Sequence, residues 1–255
     1  MKYEYLLVNL SPKITLDHNW RVLEIIWWEF FPFSKSEFSI DDIIEYLVKN
    51  SAARENPYYR RECSRTLNVV EDVLEQLNKA GLLEKRNKTF VKTNKYPEIF
   101  SFLKDMRKSV RRLVSWAIWR FYKKGLNSFR IAQILGELSY SDEEYKNEFE
   151  HLWVWRDFKW QPILERKGDN LWRLLNEPQT SRRSILLADL PKRLKLAISE
   201  LSKSKDEFSE DEIVQTVRKL ERKSVERVLK ELKLDFKDYY WQINDLALAE
   251  IRKNL

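Results

Sequence analysis

The chain has 255 residues, 43% hydrophobic and 34% charged, with 47 Lys+Arg against 40 Asp+Glu and a formal net charge of +7. That length suffices for one large domain or two to three small ones. One cysteine, Cys63, and two histidines, His18 and His151, argue against a disulfide framework, a Cys-rich zinc site or a His-driven triad, and four scattered glycines leave no phosphate-cradling loop. The N-terminal segment lacks a secretory pattern, and no apolar run is long enough to span a bilayer. The expectation is therefore a soluble, cytoplasmic, helix-rich basic protein with no membrane insertion, no metal and no cofactor. Abundant Lys, Glu, Ile and Leu with few Gly, His and Cys give the composition a thermophilic lean.

In chain order, residues 20–30 (WRVLEIIWWEF) read as an amphipathic helix. Trp27 and Trp28 lie about 100° apart on such a helix and cannot both enter one core. One of them, with Phe31 or Phe33, is expected to meet a neighbouring unit or a partner. FSIDDII at 38–44 starts a helix in which Ser39 and Asp42 form a capping box. Helix 57–79 follows, with Asn56 as cap and Pro57 at its first position. Its core face is Cys63, Leu67, Val70, Leu74 and Leu77. LLEKRNKTFVKT at 82–93 reads as a hairpin turning at Asn87-Lys88. Residues 103–123 read as one helix ended by Gly125 in a left-handed cap.

Helices then follow at 128–135 and 141–152, the second with a Ser141–Glu144 box, and a hairpin turns through 167–170. The polar segment 176–184 reads as a linker. Beyond it come helix 192–201, a short capped helix at FSEDEIV (208–214), a longer helix, and a hairpin over 234–243 turning at Lys237-Asp238.

FSIDDII and FSEDEIV are copies of one motif, and VEDVLEQL at 70–77 matches VERVLKEL at 225–232. Helix, helix, helix and hairpin thus occur twice, and 103–178 reads as a divergent third copy. This order resembles the winged helix-turn-helix superfamily over roughly 20–100 and 190–250. The resemblance implies a mainly α fold with small β-hairpin wings, in two to three tandem winged-helix domains. Their bounds would be 1–100, 101–178 (divergent winged-helix-like or helical) and 179–255. Tandem winged helices resemble transcription regulators, replication-origin factors and plasmid or viral initiators, so the implied partner is double-stranded DNA.

In that fold the third helix enters the major groove, where Arg reads guanine and Asn reads adenine. Candidate contacts are Arg54, Tyr58, Arg60, Arg61, Arg65 and Asn68 on and before helix 57–79. Lys85, Arg86, Lys88 and Lys92 are candidates on the wing. Residues 54–112 hold 15 Lys/Arg against 8 Asp/Glu, so this stretch carries the whole formal charge. Arg182, Arg183, Arg222, Lys223 and Arg227 form an auxiliary set, with Arg218 and Lys230 beside them. The bland reading of all these is a solvated helix face laced with i,i+4 ion pairs.

The helix at 141–152 carries Asp142, Glu143, Glu144, Glu148 and Glu150, which phosphate would repel. Together with Trp116, Trp119, Trp153, Trp155, Trp160 and Trp172 it supports the alternative of a protein-interaction scaffold, with a partner on the Trp-rich middle. A non-enzymatic role is expected. The remote alternative is a metal-dependent nuclease, from Asp157 and the Glu165-Arg166-Lys167 run.

Overall fold

The computed structural model of the protein describes residues 2–32, 36–50, 59–154, 163–178, 180 and 184–255, and side chains at 50, 59–66 and 150–154 fall outside that description. The chain is mainly helical with three small three-stranded antiparallel sheets. It divides into two compact units, Met1–Gly125 and Leu126–Asn254. Among the described residues no helix is long and apolar enough to cross a membrane.

The first unit opens with α1 (Glu4–Asn9), a 3-10 turn and α2 (Asp17–Ile25), which runs on as a π-helical turn through Ile26–Phe30. Next come β1 (Glu37–Ser39), α3 (Ile40–Asn50), α4 (Tyr59–Lys79), β2 (Leu83–Arg86) and β3 (Thr89–Lys92). The capping box read from the sequence forms. The Asp42 N–H donates to Ser39 Oγ at 3.2 Å, and the Ser39 N–H donates to the Asp42 carboxylate at 2.7 Å. The sheet order is β1-β3-β2, so the strand before the helix pair lies on the second strand of the hairpin. Phe38, Ile43, Val70, Val73, Leu74, Leu77 and Phe90 are buried there, which bears out Val70, Leu74 and Leu77 of the expected apolar face of α4; Leu67 is half-buried and the Cys63 side chain lies outside the described residues.

Residues 103–123 form two helices, not one: α5 (Tyr96–Met106) and α6 (Val110–Lys123). Ser109 breaks the run because its side chain accepts from the Arg112 N–H, giving the backbone a fresh N-terminus. α6 is buried on almost every side, Trp116 and Trp119 included, and Trp116 Nε1 donates to the Leu7 carbonyl at 2.7 Å. The buried Tyr96 hydroxyl donates to the Leu23 carbonyl, and burial pushes its pKa far above the usual value. Gly125 takes the expected left-handed conformation at φ 83°.

The second unit contains β4 (Ser128–Phe129), α7 (Ile131–Leu138), α8 (Asp142–Val154), β5 (Leu164–Arg166) and β6 (Leu171–Leu174). After a 3-10 turn at Ile185–Leu187 it continues with α9 (Leu190–Leu201), β7 (Glu207–Ser209), α10 (Glu210–Glu231), β8 (Asp235–Lys237), β9 (Tyr240–Gln242) and α11 (Asp245–Asn254). The Ser209–Glu212 capping box forms as in the first unit. The two helices expected after it are one 22-residue helix. Nothing in this stretch breaks a helix, and Ile213, Val217, Val225 and Val228 share one buried face with Glu221. The final hairpin turns at Asp238-Tyr239, one residue later than expected. Both take positive φ, 51° and 67°, as a two-residue type I′ turn requires.

The strands of this unit are exchanged. β4 pairs with β9, and β7 pairs with β6, so the sheets are β4-β9-β8 and β5-β6-β7. Each sheet draws strands from both sides of 176–184, and α10 runs from one sheet to the other. The cross-links are polar as well. Trp172 Nε1 on β6 donates to Glu210 at the start of α10, at 3.0 Å.

Arg193 of α9 and Glu221 of α10 pair at 2.5 Å, both wholly buried. Arg193 also donates to the carbonyls of Leu138, Leu186 and Ala188 at 3.0–3.2 Å, and Tyr145 of α8 donates to Glu221. Burial disfavours the Arg193 charge, but Tyr145 and Glu221 beside it more than restore it, so its pKa rises.

Candidate nucleic-acid interface

In the first unit, α4 leads through Gly81 into the β2–β3 hairpin, and the Asn78 side chain at the end of α4 accepts from the Lys85 N–H at 3.2 Å. This fixes the hairpin against the helix. Lys85, Arg86 and Lys88 are exposed on it, and Asn68 is exposed on α4. Asn87 takes φ 54° at the turn, a conformation that Asn tolerates. Arg86 pairs with Glu84 at 3.0 Å, an exposed pair of little energetic weight that phosphate could displace. Lys85 reaches over the Phe90 ring at 5.8 Å.

Lys92 is half-buried, 4.9 Å from the centre of the Phe31 ring, and desolvation lowers its pKa to about 8. Arg60, Arg61 and Arg65 lie on α4, but their side chains are outside the described residues, as are Arg54, Tyr58, Arg182 and Arg183.

On α10, Arg222, Lys223 and Arg227 are exposed. Arg222 pairs with Glu226 at 2.8 Å and Arg227 lies 3.9 Å from Glu231, the i,i+4 pattern of a solvated face. Arg218 is taken inward. It holds Asp142 at 2.6 Å, the Tyr140 carbonyl at 2.6 Å and Glu221 at 3.0 Å. The acidic start of α8 is in part structural for the same reason, since Asp142 is held by Arg218, and Lys146 of α8 pairs in turn with Asp211 of α10 at 2.8 Å.

No known protein family, curated protein or solved structure matches this chain.

The tryptophans divide as their spacing requires. Trp116, Trp119 and Trp172 are buried, while the side chains of Trp153, Trp155 and Trp160 lie outside the described residues. Trp27 stacks on Phe100 at 4.6 Å and on Phe31 at 5.2 Å, leaving Trp28 59% exposed. Lys167 pairs with Glu165 at 2.8 Å and lowers its pKa, and Asp157 lies outside the described residues. Among those described, no group of three His, Cys, Asp or Glu could hold a metal ion.

The sequence reading missed Lys219, which shares the solvent face of α10 with Lys223 and Lys230, and the exposed rings of the last hairpin. A helical wheel drawn over the full length of α10 finds the first. A one-residue shift of the turn finds the second.

Proposed function

We propose that the protein binds double-stranded DNA through α4 and the β2–β3 hairpin of its first unit, as a winged helix. The carrying observation is the hairpin itself, anchored to the end of α4 and presenting Lys85, Arg86 and Lys88 to solvent. The strand–helix–helix–hairpin order and the β1-β3-β2 arrangement support that reading, because they set a hairpin beside the exposed face of a long helix. Cations on such a hairpin neutralise phosphates, while Arg61, Arg65 and Asn68 supply groove contacts. The second unit carries one strand–helix–helix–hairpin run and one strand–helix–hairpin run with their first strands exchanged, and serves as an auxiliary contact through α10. On this reading the chain is a regulator or a replication or chromosome factor, not an enzyme.

The test is fluorescence anisotropy of labelled duplex DNA at two salt concentrations, with wild type and Lys85→Ala/Arg86→Ala/Lys88→Ala. Salt-sensitive binding that weakens in the variant, with a salt slope lower by about one for each lost phosphate contact, supports the reading. Absence of duplex binding at low salt refutes it.

One observation favours a protein partner as the second reading. Trp28 is exposed beside Phe31, itself 38% exposed, at the π-helical turn of the first unit.

A further inference from the structure

The three sheets carry the same cross-strand row with one difference. Phe38 opposes Phe90, which opposes Lys85. Phe208 opposes Trp172, which opposes Arg166. Phe129 opposes Trp241, which opposes Phe236. In the first two sheets a cation ends the row, reaching over the inner ring at 5.8 and 5.9 Å. In the third an aromatic ring ends it, 5.1 Å from Trp241 and 60% exposed.

Tyr239 stands at the tip of the same hairpin, 85% exposed, with φ 67°. A bulky residue rarely adopts that conformation, and Tyr239 has no ring or hydrogen-bond partner among the described residues to favour it. α10 runs through a three-residue link into β8, and Lys219, Lys223 and Lys230 lie along its solvent face, opposite buried Val217, Val225 and Val228. Of the acids at that face, Glu226 is held by Arg222, and Glu200 of α9, held by Lys203, also feels the charges of Lys223 and Lys219. Of the hairpin's two acids, Asp235 is held by Asn244. Asp238, beside Tyr239, is an acceptor suited to base amino groups and not to phosphate.

We propose that the β8–β9 hairpin is a stacking platform for unpaired nucleobases. Phe236 and Tyr239 supply the rings, and the lysines of α10 follow the backbone that leads to them. The ligand class is single-stranded or frayed nucleic acid. Base–aromatic stacking tolerates any sequence, and a lysine stripe complements a polyphosphate better than an apolar protein face. The inference rests on reading the chain as a nucleic-acid binder, but its stacking rings lie in the second unit, outside the main duplex site of the first.

The experiment measures anisotropy of labelled oligothymidine and of a blunt duplex with the full chain. The variants are Phe236→Ser/Tyr239→Asn, Tyr239→Phe, and the Lys85→Ala/Arg86→Ala/Lys88→Ala triple. Asn tolerates the tip conformation, and unchanged thermal melting of the double variant checks its folding. The expected result is at least about 10-fold weaker oligothymidine binding in the double variant. Duplex binding should stay unchanged, and Tyr239→Phe should behave as wild type. Undiminished oligothymidine binding in the double variant, or none in wild type, overturns the proposal. Duplex binding that survives the triple variant counts against the first-unit site alone, whereas failure to bind either DNA overturns both.

Discussion

Glu221→Gln in the second unit removes one charge and almost no volume. Its carboxylate meets Arg193 at 2.5 Å and Arg218 at 3.0 Å, and Tyr145 donates to it. Arg193 is wholly buried, so the substitution strands a guanidinium that cannot be deprotonated. Breaking a buried pair from one side costs about 3–5 kcal/mol, far more than the pair gains over a hydrophobic replacement. For a unit of this size that lowers the melting temperature by roughly 10–20 °C.

The assay is urea unfolding of the full chain followed by hydrogen exchange of its peptides, because two units need not unfold together. Protection should fall in α9 and α10 and stay unchanged in α2 and α4. Arg193→Met, and its combination with Glu221→Gln, complete a double-mutant cycle with clearly less than additive cost. A cost below about 1 kcal/mol for Glu221→Gln, or additive singles, would refute the reasoning.

Arg61→Ala/Arg65→Ala is expected to weaken duplex DNA binding and flatten its salt dependence, read by anisotropy, and unchanged binding would remove α4 as the reader. Ser209→Ala should cost about 1 kcal/mol in chemical denaturation through loss of the capping box, while Gln215→Ala, further along the same helix, should not. Lys92→Met should raise the melting temperature at neutral pH. The folded state holds the Lys92 pKa at about 8 against an ordinary 10.5, so the charge is a penalty at low pH that fades as pH climbs from 8 past 10.5. A pH-independent difference would assign the effect to packing. Tyr239→Gly should stabilise the hairpin by up to about 1 kcal/mol in thermal melts, because glycine accepts positive φ freely.

The repeat was legible because its residues do local work. In FSIDDII and FSEDEIV the serine and acid cap a helix, and the phenylalanine is a core residue of a short strand. The continuity of α10 was hidden by Glu221, a charged residue at a core position whose buried partner lies on another helix. The break at Arg107–Ser109 was hidden for the opposite reason, since helical spacing continues across it and only the Ser109 cap marks it. Strands β1, β4 and β7 are two or three residues long, too short to show a period of two. Their partners are long-range, and no local pattern encodes that β4 lies on β9 and not on β6. For the candidate site, the basic hairpin was readable from its alternation and turn. The inward capture of Arg218 was not, because Asp142 lies far away in sequence.

The exchanged strands also set an order of events during synthesis. β4 leaves the ribosome more than a hundred residues before β9, and the β5–β6 hairpin is complete before β7 exists. Until the C-terminal part emerges, both present open backbone edges. Edges of that kind recruit strands from other nascent chains. A chain released early, short of Tyr240, would keep its β4 edge open permanently. Truncation near the C-terminus should therefore appear in the cell as aggregation and quality-control load.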